Sequence, residues 1–401
     1  MKNLVQNIKT FFHSIDTSYA PEQSIVLRYC NGIAAYEDEA QEARYKTLLR
    51  QTSIAEGERV FHLLTYRDVA IHILDETSLM RSKTIKSIDG CIAAARCLEH
   101  DYQRVFFESG GNTGAALTLY GQRAGLETYC FVPEDNLPLL NSQWFDSQKT
   151  RLISVQKASQ LKDAAMAFGR IHRLRHIPEI RWRSEASMYR GMFILEYMLN
   201  HGAFDWFAQT ISAAFGPIGI YHALQNALHE PRKLPRFLGV QQQANCPMFK
   251  AWKARTLDNN TDQPSEPLLT KVMYDTQPQS YGTVESLQKL LVNYHGDLIA
   301  VNRETFNARL NQLIEGKLIL DWLNQNRVPI TLRDGEIIEK TGLISLVGVL
   351  KAIDEKIIAK GARVLCSLSS GVSEADGRAK PDIAIADMSI LTQTYGGRNE
   401  P

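Results

Sequence analysis

The stretch FFESGGNTGAALTLYG, residues 106–121, decides the fold. An apolar, aromatic run meets a cluster of Gly and small polar residues and then an Ala/Leu pattern of helical period, so it reads as strand, tight turn, helix. Such a turn leaves backbone N–H groups at the helix start without intrahelical acceptors and aims them at whatever lies above it, which suits an anion. The dinucleotide-binding reading fails on spacing, because no G-x-G-x-x-G is present and no acidic residue follows at the end of a clear second strand.

Working outward, short apolar runs alternate with helical patterns from about residue 70 onward, and that alternation predicts an α/β protein built on parallel sheets. Predicted strands cover 70–74, 104–107, 128–132, 152–155, 210–214, 237–241, 298–301 and 363–366. Predicted helices cover 87–99, 113–124, 161–173, 191–199, 219–227, 283–294, 303–313 and 342–360. Residues 255–282, with TLDNNTDQPSEP, are rich in Asn, Asp, Pro and Ser and read as a surface loop. The first 50 residues carry amphipathic stretches such as EARYKTLLRQ and read as an attached N-terminal element.

The 401 residues, 44% of them hydrophobic, can bury a large core and suggest two domains. Lys and Arg number 45 against 44 Asp and Glu, so no whole-protein field argues for nucleic acid or an anionic membrane. The start, MKNLVQNIKTFFHSIDTSYAPEQ, scatters charge through its apolar positions, unlike a signal-peptide core, and no stretch nears the roughly 20 apolar residues of a spanning helix. A cytoplasmic protein without membrane or nucleic-acid partners is expected. Cys30, Cys91, Cys97, Cys130, Cys246 and Cys366 form no C-x-x-C pair and sit mostly in apolar runs, which predicts buried free thiols and no metal site.

Two further loops matter. In RSKTIKSIDGCIAAARC, Lys86 stands just before a helix, the wrong charge for the positive end of its dipole, so the amine either has a task there or is a solvated surface group. In SAAFGPIGIYHAL, residues 212–224, a strand runs into Gly216 and Gly219 before a helix, and the backbone there can approach a phosphate closely or form a plain connection.

In order and spacing, Lys86, the 109–114 loop and the 216–219 loop resemble the lysine, asparagine loop and phosphate loop of fold type II pyridoxal-phosphate enzymes, the tryptophan synthase β-subunit-like family, with threonine synthases and cysteate synthase-like enzymes nearest. SKTIKS at 82–87 is similar to the family's P-T-G-S-F-K-D-R, and SGGNTGAA at 109–116 to its S-T/S-G-N-T loop. Likewise IAEGE at 54–58 resembles L-G-E-G, ILDET at 73–77 the K-D-E segment, and GVQQQANCPMFKAW at 239–252 the V-Q-x-x-x-x-x-P segment. Further on, IIEKTGLISLVGVL at 337–350 resembles E-P-x-x-A-A-x-x-G, and RVLCSLSSG at 363–371 resembles V-V-x-x-L-T-G-x-G. Departures include Lys83 for Gly before Thr84, Ile85 for Phe, Ser87 and Ile88 for the D-R pair, and Lys340 for the Pro of E-P.

The resemblance implies two parallel-sheet α/β domains with pyridoxal 5'-phosphate in the cleft between them. It further implies a large domain from 1–97 and 191–401, a small mobile domain at 98–190, and a homodimer. Lys86 becomes the Schiff-base lysine and general base, Asn112 the partner of the cofactor's 3-oxygen, and Gly216, Pro217, Ile218 and Gly219 the phosphate loop. Ser369, or Ser367 by a shifted register, faces the pyridine nitrogen. Thr84, Ser109, Gly110, Gly111 and Thr113 line the amino-acid substrate, with Arg81 and Lys83 offered to a second anion. A hydroxyl at the ring nitrogen, rather than a carboxylate, favours elimination and replacement over transamination or racemisation. The leading expectation is a biosynthetic lyase or transferase acting at the β carbon of an O-phosphoserine- or serine-type substrate. Its rival is a threonine synthase acting at the γ carbon of O-phosphohomoserine; a non-catalytic protein of the same fold and a dehydrogenase stand further off.

Overall fold

The computed structural model of the chain describes residues 15–33, 38–227, 234–260, 264, 266–274, 278–330, 332–333, 336–337, 340–370 and 379–386. Its strands are β1 (Arg59–Tyr66), β2 (Val69–Asp75), β3 (Arg104–Glu108), β4 (Glu127–Pro133), β5 (Thr150–Val155), β6 (Arg175–His176), β7 (Trp206–Thr210), β8 (Arg236–Gln242), β9 (Asp297–Val301), β10 (Leu332–Arg333), β11 (Glu336–Ile337), β12 (Arg363–Leu368) and β13 (Ile383–Ile385). The helices needed below are α1 (Ile25–Ile33), α2 (Glu39–Thr52), α3 (Lys86–Glu99), α4 (Asn112–Arg123), α5 (Leu161–Ile171), α6 (Ile180–His201), α7 (Phe215–Ala227) and α8 (Thr341–Asp354). The chain divides into two compact units, the described residues of 1–35, 55–85 and 183–372 in one and those of 36–54, 86–182 and 373–401 in the other.

In the first unit six strands run in the order β1-β2-β12-β7-β8-β9, all neighbours parallel except the β1–β2 hairpin. A parallel sheet covered on both faces needs strands that are apolar throughout, and all five residues of β7 are buried. Helix α8, with TGLISLVGVLKAID, is apolar nearly all round because it lies inside the core with Val240, Ile299, Val364 and Leu238. The second unit holds five parallel strands in the order β13-β5-β4-β3-β6. Alternation along β4 turns Tyr129 and Phe131 toward Phe168 of α5, while Thr128 and Cys130 face Gly121 and Gly114 of α4.

The α/β class and the parallel sheets agree with expectation. The strand predicted at 210–214 lies instead at Trp206–Thr210. WFAQT is the buried segment; the chain leaves the sheet at Thr210, whose hydroxyl donates to the Thr341 carbonyl at 2.8 Å, and Ala214 already adopts φ 59. Strand β1 was absent from the prediction because its turn carries no glycine: Arg67 and Asp68 supply the two positive φ angles, 47 and 65, that a tight hairpin requires. EARYKTLLRQ forms most of α2, capped by Asp38, whose carboxylate accepts from the Gln41 N–H, and anchored by buried Tyr45, Leu49 and Thr52.

Candidate active site

Ligands of open parallel sheets gather beyond the carboxyl ends of the strands. In the second unit, β3 ends at Glu108 and the chain turns through residues 109–111 into α4. Gly111 adopts φ 150 and ψ −81, a conformation open to glycine, and brings no side chain to cap the helix. Ser109 does that work from inside: its hydroxyl oxygen accepts from Gly111 N–H at 3.0 Å and Gly114 N–H at 2.8 Å. Asn136 fastens the turn from outside by donating to the Gly110 carbonyl at 2.6 Å. Lys86 opens α3, and its Nζ donates to Asp89 Oδ2 at 2.8 Å, with side-chain exposures of 29% and 9%. Asp89 resolves the awkward lysine at a helix start, since its carboxylate in the first turn suits both the dipole and the amine.

In the first unit the segments after β2, β12 and β7 leave neighbouring strands of one sheet. Asp75 organises the first: its Oδ1 accepts from Thr77 N–H at 3.0 Å, Thr77 hydroxyl at 2.7 Å and Ser78 N–H at 3.0 Å, while Oδ2 takes Arg59 Nε at 2.9 Å. The chain then returns to β12, where Ile85 N–H donates to the Ser369 carbonyl at 3.0 Å and Thr84 bridges to Ser370. The residues directly before Lys86 are thereby joined to the end of β12. Ser369 is 4% exposed, whereas the Ser367 hydroxyl is fully buried and donates to Glu76. Lys83, at φ 58, donates its amine to the Ser78 carbonyl at 3.0 Å, and Arg81 is exposed.

After β7, the turn at 211–214 opens α7. Pro217 sits in the first turn, where a missing N–H costs nothing, and Ile218 N–H reaches Ala214 O at 3.3 Å. A methyl group at Gly219 would stand 2.5 Å from Ser187 Cβ and 2.7 Å from the Ser184 carbonyl; one at Gly216 would stand 2.5 Å from Gln209 Nε2 and 3.0 Å from Arg190 Nη1. The phosphate reading gives both glycines one reason to be small; close packing of α6 on α7 gives Gly219 a second of its own, whereas Gly216 faces the side-chain ends of Gln209 and Arg190.

Asp89, Glu58, Glu76, Arg190 and Gln209 were not singled out from sequence, although signals existed. Asp89 lies at i+3 from Lys86, and Arg190 is a lone charge in the apolar run SMYRGMFIL. All six cysteines are buried and free, and burial pushes Cys97 and Cys366 up to about 12, so these two thiols are not nucleophiles. Among the described residues no group of three His, Cys, Asp or Glu could hold a metal ion, and no helix is long and apolar enough to cross a membrane.

Parallel sheets whose strands lead into glycine-bearing helix starts, and a half-buried lysine at the head of α3, mark a class of α/β enzyme that the sequence comparison identifies. The chain belongs to the family of pyridoxal-phosphate dependent enzymes, whose profile matches residues 49–320. It is 23% identical over 283 residues to the cysteate synthase of Methanosarcina acetivorans, a match covering 67% of this chain and 63% of that protein, so it spans less than two thirds of that relative's length. Threonine synthase from Escherichia coli superposes with a TM-score of 0.62 at 12% identity, covering 92% of this chain and 81% of that one. Diaminopropionate ammonia lyase from Escherichia coli gives 0.58 at 12% identity, over 89% and 92%. At such identity the structural likeness speaks for the fold alone, fold type II. Membership of that family makes pyridoxal 5'-phosphate the cofactor. The residues fit that cofactor: Lys86 offers an amine to its aldehyde, and the 214–219 turn, a helix start with a guanidinium beneath it, suits its phosphate.

Proposed function

We propose that the enzyme eliminates or replaces a leaving group at the β carbon of a small activated amino acid of the O-phosphoserine or serine type. Pyridoxal phosphate, when bound, supplies the electron-withdrawing ring that acidifies the substrate α-proton. Lys86 Nζ is assigned covalent attachment of the cofactor and, once released, removal of that proton as general base. Asp89, 2.8 Å away, holds the amine in place. Gly216, Pro217, Ile218 and Gly219 take the phosphate, Asn112 the 3-oxygen, and the turn at Ser109–Thr113 the substrate carboxylate. At the end of β12, Ser369 is the better candidate for the ring nitrogen, because the Ser367 hydroxyl is spent on Glu76.

The observation that carries this reading is the residue type at that strand end, a hydroxyl where a carboxylate would strengthen the electron sink; the sequence likeness to a cysteate synthase supports it. The test is the visible spectrum of the purified protein, followed by addition of O-phosphoserine and O-phosphohomoserine with assay of inorganic phosphate. Phosphate release from O-phosphoserine alone, abolished in Lys86→Ala along with the yellow colour, is expected. Release from O-phosphohomoserine alone would move the chemistry to the γ carbon, the reading to which the threonine synthase likeness lends fold-level support.

A further inference from the structure

The turn assigned to the cofactor phosphate lies over buried charge that none of the roles above uses. Arg190 of α6, 2% exposed, donates Nη2 to Glu76 Oε2 at 2.8 Å and to Gln209 Oε1 at 2.9 Å, and Nε to Glu76 as well. Glu76 is fully buried and also accepts the Ser367 hydroxyl. The guanidinium and the Gln209 amide are the groups a methyl at Gly216 would strike, so they lie directly against the first turn of α7. A buried ion pair gains less than its desolvation costs in many proteins, and apolar residues of similar size would hold these elements together as well. A cation retained in that position has electrostatic consequences for anything bound over the turn.

Glu58 adds a second charge to the cluster. It is fully buried, and neither carboxyl oxygen has a hydrogen-bond partner of ordinary geometry among the described residues. The groups facing it are Glu76 and Asp75 at the end of β2 and Arg190 of α6, with the Asp75 charge balanced by Arg59. Burial first, then the Glu76 charge, push the Glu58 carboxyl well above the ordinary carboxylate range, while Arg190 pulls the other way. With Glu58 protonated, Arg190 and Glu76 cancel; with Glu58 ionised, the cluster carries one net negative charge in a medium of low dielectric.

We propose that Arg190, oriented by Glu76 and Gln209, is a positioning residue that makes the 214–219 turn selective for a phosphate ester, and that the charge on Glu58 tunes this grip. The inference rests on the functional reading above, which places the cofactor phosphate at that turn. A dianion there gains from the helix N–H groups and from the fixed guanidinium beneath them, and loses when the cluster turns negative.

The test uses the full chain loaded with cofactor and reads the bound phosphate by phosphorus NMR across the pH range in which the protein stays folded. In the wild type the resonance should move as pH rises, and in Glu58→Gln it should hold its low-pH position. Arg190→Lys keeps the charge but loses the forked grip, and should release cofactor about tenfold faster on dilution. Wild-type and Glu58→Gln spectra that superimpose at every pH would overturn the tuning, and an unchanged release rate in Arg190→Lys would overturn the role of Arg190. If Arg190→Lys does not fold, the Glu58→Gln comparison decides alone. Cofactor uptake with superimposable spectra and unchanged release defeats this inference and leaves the function standing, whereas a protein that takes up no cofactor defeats both.

Discussion

Two turns carry candidate site residues out of parallel sheets, 75–78 in the first unit and 109–114 in the second, and in each a single side chain accepts two of the turn's backbone N–H groups. Asp75 accepts from two backbone N–H groups and two hydroxyls and adds an ion pair with Arg59; Ser109 accepts from two backbone N–H groups with a neutral oxygen. Both solve the same problem, since a strand end that turns sharply leaves buried donors that something must satisfy. The solutions differ in charge. The Asp75 turn therefore depends on solution conditions through a titrating group, and the Ser109 turn does not.

The largest expected effect comes from Asp75→Ala. It leaves the Thr77 and Ser78 N–H groups without their acceptor and Arg59 without its partner, which should cost about 3 kcal/mol or more. Urea denaturation should show the loss as a lowered midpoint with an unchanged slope. Asp75→Asn keeps an acceptor oxygen and should recover about half. A loss below about 1 kcal/mol in the alanine variant would mean that the turn is held by the rest of its sequence and that Asp75 is no staple.

The contrast between these turns also explains what the sequence made legible. FFESGGNTGAALTLYG announces its turn through glycines, and the structure uses Gly111 for a backbone angle that other residues avoid, so strand, turn and helix were all readable from composition. The segment ILDETSLMRSKTIK contains no glycine or proline, and its turn is made by backbone N–H groups donating to an aspartate that sequence pattern cannot distinguish from a solvated one. Lys86 stands out in the sequence because a resemblance of several spaced motifs points to it. Arg190 and Glu76 belong to segments 114 residues apart, and nothing local says that they meet. Gly216 and Gly219 are the instructive case: the phosphate reading treats them alike, but helix packing accounts for the size of Gly219 by itself, while Gly216 lies against the Gln209 and Arg190 side chains.

Ser109→Ala comes second. Losing the internal cap of α4 should cost about 1–2 kcal/mol, within the range for N-cap removal. Its signature is local: the Gly111 and Gly114 amides should exchange with solvent faster relative to the rest of the unit, which hydrogen exchange resolves residue by residue. Uniform acceleration across the unit would place the effect on global stability and weaken the comparison.

The smallest effect is a difference of differences, measured against pH. Burial pulls the Asp75 carboxyl upward, but the hydrogen bonds from Ser78 and Thr77 and the bond to Arg59 outweigh it and hold the group below its ordinary value. A group depressed in the folded state contributes its stability fully above its unfolded pKa, about 3.9, and loses it as pH falls through the folded value. The gap between wild type and Asp75→Asn should thus be level from about pH 7 to about pH 5 and shrink below about pH 4. The gap between wild type and Ser109→Ala should stay level throughout. His72, drawn down to about 4 by burial and by His62, makes all three proteins less stable as pH falls below about 6.5, because the unfolded chain takes up a proton that the folded one refuses. That slope is common to the three and cancels. Glu58 senses Asp75, but it keeps its proton in acid and does not enter this window. If both gaps shrink together, the acid sensitivity belongs to the fold at large and the charged turn has no special share in it.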